Sequence, residues 1–146
     1  MNRQKQIIGW REWVALPELG VEPLKCKVDT GAKTSALHAF YVEPFEKDGR
    51  QMVRFGLHPH QDDTQTELEC VAEVFDVRTV SDSGGHKEER YVIKTPLRIG
   101  TETFDAEITL TNRDSMAFRM LLGRRAMEGR FIVDPDASFL SKKGHQ

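Results

Sequence analysis

Cysteine is scarce in this chain of 146 residues: there are two, Cys26 and Cys70. Two are too few for a disulfide scaffold and suit reduced thiols in a cytoplasmic protein. No apolar run approaches the ~20 residues needed to span a bilayer. No apolar segment follows Arg3 and Lys5 as it would in a secretory leader. An excess of charge of one sign is also missing. Lys and Arg number 21 against 23 Asp and Glu, a formal net charge of -2, which excludes the strongly basic surface of a default nucleic-acid binder. There is no Gly-x-x-x-x-Gly-Lys-Ser/Thr loop, hence no ATP site of this kind, and no His-Glu-x-x-His zinc signature. Internal repeats and low-complexity segments are absent. What is present is 38% hydrophobic and 30% charged, the balance of a globular domain able to bury a core without staples. One domain over 1–146 is expected, its core running from about Trp10 to Leu140.

Hydrophobic periodicity favours strands almost throughout. Leu24, Cys26 and Val28 alternate with Lys25 and Lys27, a half-buried strand that leads into Asp29. Phe104, Ala106, Ile108 and Leu110 form a second such row. Further strands are expected over Met52–Leu57, Leu68–Val80 and Arg90–Ile99, punctuated by Asp48-Gly49, Ser83-Gly84-Gly85, Gly100-Thr101 and Asn112-Arg113-Asp114. Pro96 marks an edge or a bend in its run. Helix is expected only as one turn within Thr34–Phe40 and a short piece over Arg124–Glu128. Many strands with little helix point to a mainly β fold, a closed or nearly closed barrel of six or more strands. Trp10 and Trp13, with Leu16 and Leu19, read as strand and core packing. The stretch Gln61–Val77 carries six acids and no Lys or Arg, whereas Arg119 to the end carries six Lys or Arg against three acids. Solvated faces account for both.

The sharpest local feature is Val28-Asp29-Thr30-Gly31-Ala32 at the end of an alternating strand. Gly31 permits a turn that a Cβ would block, and Thr30 can brace it through its hydroxyl. Asp29 is then presented at a fixed point among backbone N–H groups. An ordinary turn uses the same residues, so the tripeptide alone decides nothing. Far downstream stands Met120-Leu121-Leu122-Gly123-Arg124-Arg125, an apolar strand that ends in Gly and opens into a short helix.

Together these elements resemble retropepsin-like aspartic peptidases, in which the apolar run crosses behind the Asp-Thr-Gly turn. The resemblance narrows to the family known as ATP-dependent zinc proteases, small retropepsin-like proteins associated with RimK-type glutamate ligases. It is carried by Val28 to His38, Arg78 to Gly84, Arg90 to Ile93, Leu110 to Met116, Leu121 to Arg124 and Arg130 to Asp134. It implies a retropepsin-like barrel, an aspartic endopeptidase with Asp29, Thr30 and Gly31 at its catalytic turn, and a link to polyglutamate tails. Aspartic proteolysis needs two carboxyls sharing a proton. One well-placed aspartate per chain then requires a homodimer with Asp29 from each subunit. Asp82-Ser83-Gly84 is formally a second such motif, but its polar, Gly-rich flanks suit the tip of a hairpin over Val77–Ile93. That hairpin corresponds to the retropepsin flap, or else is a plain surface hairpin.

Substrate-binding candidates are Lys33, Ser35 and His38 after the turn, Arg78, Arg90, Arg113 and Arg124 in the shared blocks, and Ser83 and Gly84 at the hairpin tip. Arginine clamps carboxylates bidentately, so an acidic peptide or protein substrate would suit them; surface ion pairs are the plain alternative. No cofactor is expected. His58-Pro59-His60 would place two histidines on one strand face but lacks a third zinc ligand, and Cys26 reads as a buried small hydrophobe. ATP, if used, would belong to a ligase partner. No nucleic acid or membrane partner is expected. Two other readings stand beside the peptidase: a non-catalytic binding or adaptor domain that partners a glutamate ligase, and a zinc-dependent peptidase.

Overall fold

The computed structural model describes residues 4–60, 65–81, 84–112 and 118–141. The strands are β1 (Gln6–Leu16), β2 (Val21–Val28), β3 (Ser35–His38), β4 (Tyr41–Lys47), β5 (Arg50–Leu57), β6 (Leu68–Glu73), β7 (Asp76–Ser81), β8 (Lys87–Ile99), β9 (Glu102–Thr111), β10 (Met120–Leu122) and β11 (Phe131–Ser138). A single turn of 3-10 helix covers Pro17–Leu19, and α1 spans Arg124–Met127.

The larger sheet runs β11-β1-β2-β10-β3-β9-β8-β7, and β1 also pairs with β8 through Ala15 and Arg98. That last pairing closes a barrel of six strands, β1-β2-β10-β3-β9-β8, with β11 and β7 outside the ring. The alternation read from the sequence sets which side chains fill it. Leu24, Cys26 and Val28 of β2 are buried, as are Ala106, Ile108 and Leu110 of β9. Ile8, Leu37, Ile93, Leu97, Met120 and Leu122 join them in one core. Each large apolar side chain fully buried in this way contributes roughly 1.5–3 kcal/mol before the entropy of ordering it.

Two expectations are corrected. Thr34–Phe40 holds a strand, not a helical turn. Residues 35–38 lie between β10 and β9 and exchange ladder bonds with both, and all four are buried. That ladder outweighs a weak local preference. Leu68–Val80 is also not one strand. At Val74 the N–H donates to the Gln51 carbonyl (2.9 Å), and at Phe75 it donates to the Val92 carbonyl (2.7 Å). The chain thus passes between neighbouring residues from the small sheet β4-β5-β6 to the edge of the barrel. The β7–β8 hairpin forms as expected, with Asp76 opposite Val92 and Ser81 opposite Lys87. Pro96 sits where the second edge of β8 lies between its ladders with β7 and β1, so its missing N–H costs no bond there.

Glu12 occupies a place that the sequence did not single out. It is fully buried on β1. Its carboxylate accepts from the Gly9 N–H (2.7 Å), the Leu140 N–H (2.8 Å), the Ser141 N–H (3.2 Å) and the Ser141 hydroxyl (2.7 Å). These bonds tie the segment after β11 to the barrel. Phe139, in the left-handed region at φ 55°, stacks there on Trp13. Among the described residues no helix is long and apolar enough to cross a membrane.

Candidate active site

β2 delivers Asp29 to the site. Its inward row is Leu24, Cys26, Val28, and its outward row is Lys25, Lys27 and then Asp29, which stays partly exposed. The Asp29 N–H donates to the Leu122 carbonyl (2.9 Å), so the residue still extends the parallel ladder in which β10 pairs Leu122 with Val28. The chain then turns: the Ala32 N–H donates to the Asp29 carbonyl (3.2 Å) and the Gly31 N–H to Asp29 Oδ1 (3.0 Å). Gly31 is not in the left-handed region. What it provides is room, because a Cβ there would lie 3.3 Å from Asp29 Oδ1.

The apolar run crosses behind this turn, as the resemblance to retropepsin-like proteins implies. At Gly123 a Cβ would lie 2.5 Å from the Thr34 carbonyl carbon and 2.8 Å from the Ser35 nitrogen, so only glycine lets the backbones pass. The Gly123 N–H donates to Ser35 Oγ (3.0 Å), the Arg124 N–H to the Ala32 carbonyl (2.7 Å) and the Arg125 N–H to the Lys33 carbonyl (3.1 Å). The Arg124 guanidinium reaches the Thr30 carbonyl (3.3 Å). The turn is therefore braced from α1 and β10. The Thr30 hydroxyl, expected to brace it, makes no hydrogen bond among the described residues.

The other candidates separate into three groups. Lys33 and Arg124 are exposed beside the turn. Ser35 and His38 are 2% and 4% exposed. Both belong to the buried strand β3, where Ser35 Oγ is already engaged by the Gly123 N–H. Arg78 and Arg90 are already engaged. Arg78 holds Glu107 (2.7 Å) and Asp76 (2.8 Å); these two carboxylates keep its guanidinium firmly protonated, and the Arg78 hydrogen bond in turn holds the Asp76 carboxyl below the usual carboxylate range. Arg90 donates to Glu88 (2.7 Å), which also accepts from the Thr111 hydroxyl (3.2 Å). Gly84 is exposed at the β7–β8 tip. Arg113, Ser83 and Asp82 lie outside the described residues.

The acid-rich stretch is divided between the small sheet and the barrel edge, with its described acids matched locally. Glu67 is 3.7 Å from His58, Glu69 accepts from the Tyr41 hydroxyl, Glu73 is 3.8 Å from Arg50, and Asp76 is held by Arg78. The histidine pair does not lie on a strand: His58 and His60 follow β5, and His58 stacks on Phe40 at 4.3 Å. Among the described residues no group of three or more His, Cys, Asp or Glu could hold a metal ion. Burial pushes the Cys26 thiol up to about 12 and Cys70 up to about 11, so neither is a ready thiolate nucleophile or ligand.

One residue beside Asp29 went unnoticed in the sequence. Lys27, exposed, shares the outward row with Asp29 and stands in register with Leu121 of β10 and Arg11 of β1. Its parity with Asp29 is the signal that could have found it.

Comparison with known proteins agrees with this geometry. A crystal structure of Lpg0085, a protein of unknown function from Legionella pneumophila, superposes with a TM-score of 0.77 at 27% identity, covering 94% of this chain and 99% of that one. Two relatives named probable alpha-L-glutamate ligase are closer in sequence. That of Desulfotalea psychrophila is 48% identical over 131 residues, 90% of this chain and 28% of the relative. That of Shewanella pealeana is 47% identical over 145 residues, 99% of this chain and 32% of the relative. The chain thus spans about a third of the length of these curated relatives. Residues 7–144 match the model of the RimB-like family, described as retropepsin-like aspartic endopeptidase RimB. With its six-stranded barrel and its Asp29 turn backed by Gly123, the chain belongs to the RimB-like family of retropepsin-like proteins.

Proposed function

We propose that the protein is an aspartic endopeptidase in which Asp29 activates water, working as a homodimer on acidic peptide tails. The observation that carries the reading is the state of Asp29. Its carboxylate takes one backbone N–H, from Gly31, on a turn braced by five backbone-donated bonds, and it remains partly open to solvent. A carboxylate held rigidly, yet left with acceptor capacity, suits a base that must orient a water.

In the dimer the two Asp29 carboxyls meet across a two-fold axis. Two carboxyls brought this close share one proton. The ionised one takes a proton from water as oxygen attacks the scissile carbonyl. The protonated one donates to the carbonyl oxygen, giving a gem-diol; as the C–N bond breaks, the proton taken from water passes to the leaving amine and a gem-diol hydroxyl returns its proton to the other carboxyl. Lys33 and Arg124, exposed beside the turn, support an acidic substrate. So does the naming of close relatives as glutamate ligases, since tails built by such a ligase would be polyanionic. Arg78 and Arg90 lend less to this, since their guanidiniums are paired within the chain. Neither ATP nor zinc enters the scheme.

The test compares a Glu-tailed peptide with a neutral peptide of equal length, at low and high salt. Wild type is expected to cleave the first faster, with an advantage that shrinks as salt screens the exposed cations over ~10 Å at 0.1 M. Asp29→Asn is expected to abolish both activities. Hydrolysis that survives in Asp29→Asn would overturn the reading.

A second reading has an observation of its own. The relatives carry this region as about a third of proteins named ligases. On that reading the domain recruits the acceptor protein for a ligase, and Asp29→Asn would leave binding of a Glu-tailed peptide intact with no hydrolysis to lose.

A further inference from the structure

We infer that Lys27 is a specificity-determining residue: its ammonium selects an acidic side chain in the peptide residue next to the cleaved bond. The inference rests on the reading of Asp29 as the catalytic carboxylate, and it adds the group that discriminates among substrates.

Strand parity places Lys27 on the face from which Asp29 projects. Two residues along a strand are about 6.5–7 Å apart, within the span of one residue of an extended peptide laid over the row. Laterally, Lys27 is in register with Leu121 of β10, and Leu121 with Ala36 of β3. These three residues make a floor that is cationic at one end and aliphatic over the rest. Leu121 is half-buried and Ala36 is 7% exposed. A glutamate side chain matches that floor, with its methylenes over the half-buried Leu121 and its carboxylate at Lys27.

Two facts argue against a merely solvating lysine. The first is position. Lys27 is on an interior strand of the barrel, hydrogen-bonded to β1 on one side and β10 on the other. A lysine is poorly suited to a central strand, and protection of a sheet edge gives no reason for one there. The second is commitment. The neighbouring cations of this face are occupied. Lys25 lies over the rings of Trp13 (5.3 Å) and Phe139 (5.9 Å). Arg11 lies over Trp10 (4.7 Å) and Phe139 (5.0 Å) and donates to Ser138 Oγ (3.1 Å). Lys27 has no ion pair or ring contact among the described residues. Its charge is therefore available to a ligand without breaking a contact to any described residue.

The test uses peptides that differ only by Glu or Gln, nearly isosteric, at the residues flanking the cleaved bond. Wild type is expected to favour Glu in kcat/KM by about tenfold or more, the size of a charge contact partly shielded from water. Lys27→Met, which keeps the aliphatic stem, is expected to bring the Glu/Gln ratio near one. Lys27→Glu is expected to shift the preference to Lys-containing peptides. Lys47→Met, a remote loss of the same charge, is expected to keep the wild-type ratio. The same peptide pair is titrated into the Asp29→Asn protein, with and without Lys27→Met, following tryptophan fluorescence. A Lys27-dependent preference for Glu in binding, with no hydrolysis by wild type, would refute the peptidase and uphold the selector. Hydrolysis with a Glu/Gln ratio indifferent to Lys27, in turnover and in binding, would overturn the selector and leave Asp29 in place.

Discussion

Two carboxylates on neighbouring strands show how differently one barrel can treat the same chemical group. Glu12, fully buried on β1, accepts four hydrogen bonds from Gly9, Leu140 and Ser141. Asp29, at the end of β2, accepts one and faces partly to solvent. Every lone-pair direction of Glu12 is used, so the group is a tie between the barrel and the segment after β11. Asp29 is the reverse. The backbone around it is held, and its carboxylate is anchored through Oδ1 alone, which leaves the other oxygen open. A buried charge must be satisfied to be tolerated at all, whereas a group that is to exchange a proton with water must keep a free oxygen.

The contrast is broken most directly by exchanging the losses. Asp29→Asn should reduce peptide hydrolysis by about three orders of magnitude or more while leaving thermal unfolding close to wild type. Glu12→Ala should do the opposite, costing about 3 kcal/mol in urea unfolding because three N–H donors lose their acceptor. If Glu12→Ala melted normally, the tie would be wrongly assigned. Gly123→Ala tests the bracing of the Asp29 end. Its Cβ would meet the Thr34 and Ser35 backbone, so about 2–3 kcal/mol of stability and most activity should go together. Ser35→Ala is milder. It removes the acceptor of the Gly123 N–H, and about 1–2 kcal/mol should appear in denaturant unfolding.

The smallest effect concerns the thiols. Burial raises Cys26 from 9.0 to about 12 and Cys70 from 9.0 to about 11. A thiol whose folded value is raised stabilises the fold fully below its unfolded value and less as pH climbs above it. Stability should therefore fall as pH rises from about 9 toward 11 and 12. At pH 8 neither thiol should react with an alkylating reagent until the chain unfolds. Native-state labelling of Cys26 would place it outside the core.

Much of the barrel was legible because period-2 alternation reports which face is buried, and β2, β5, β8 and β9 alternate or run apolar enough to read. The Asp29 turn and its Gly123 backing were legible through the resemblance to retropepsin-like proteins, and the structure supplies the physical reason: a close backbone crossing that leaves no room for a Cβ at Gly123. β3 was not legible, since a buried four-residue strand has no face to alternate. The break between β6 and β7 was hidden because Val74 and Phe75 have the same apolar character as the strands on either side. Arg78 and Arg90 were visible as cations, but their partners Glu107 and Glu88 could not be chosen from the acids available.

By itself the sequence determined the mainly β class and the inward rows of the major strands, local signals written within a few residues by sterics and periodicity; that the Asp-Thr-Gly turn meets the apolar-Gly run was implied by the resemblance to retropepsin-like proteins. Only the tertiary structure decided which polar groups are engaged: Glu12 bound to a segment more than a hundred residues away, Ser35 turned into the brace of Gly123, Arg78 and Arg90 neutralised, and Lys27 left open beside Asp29. A hydrogen bond or an ion pair is a property of two positions. Which two meet depends on barrel closure and strand register, and no stretch of sequence encodes those alone.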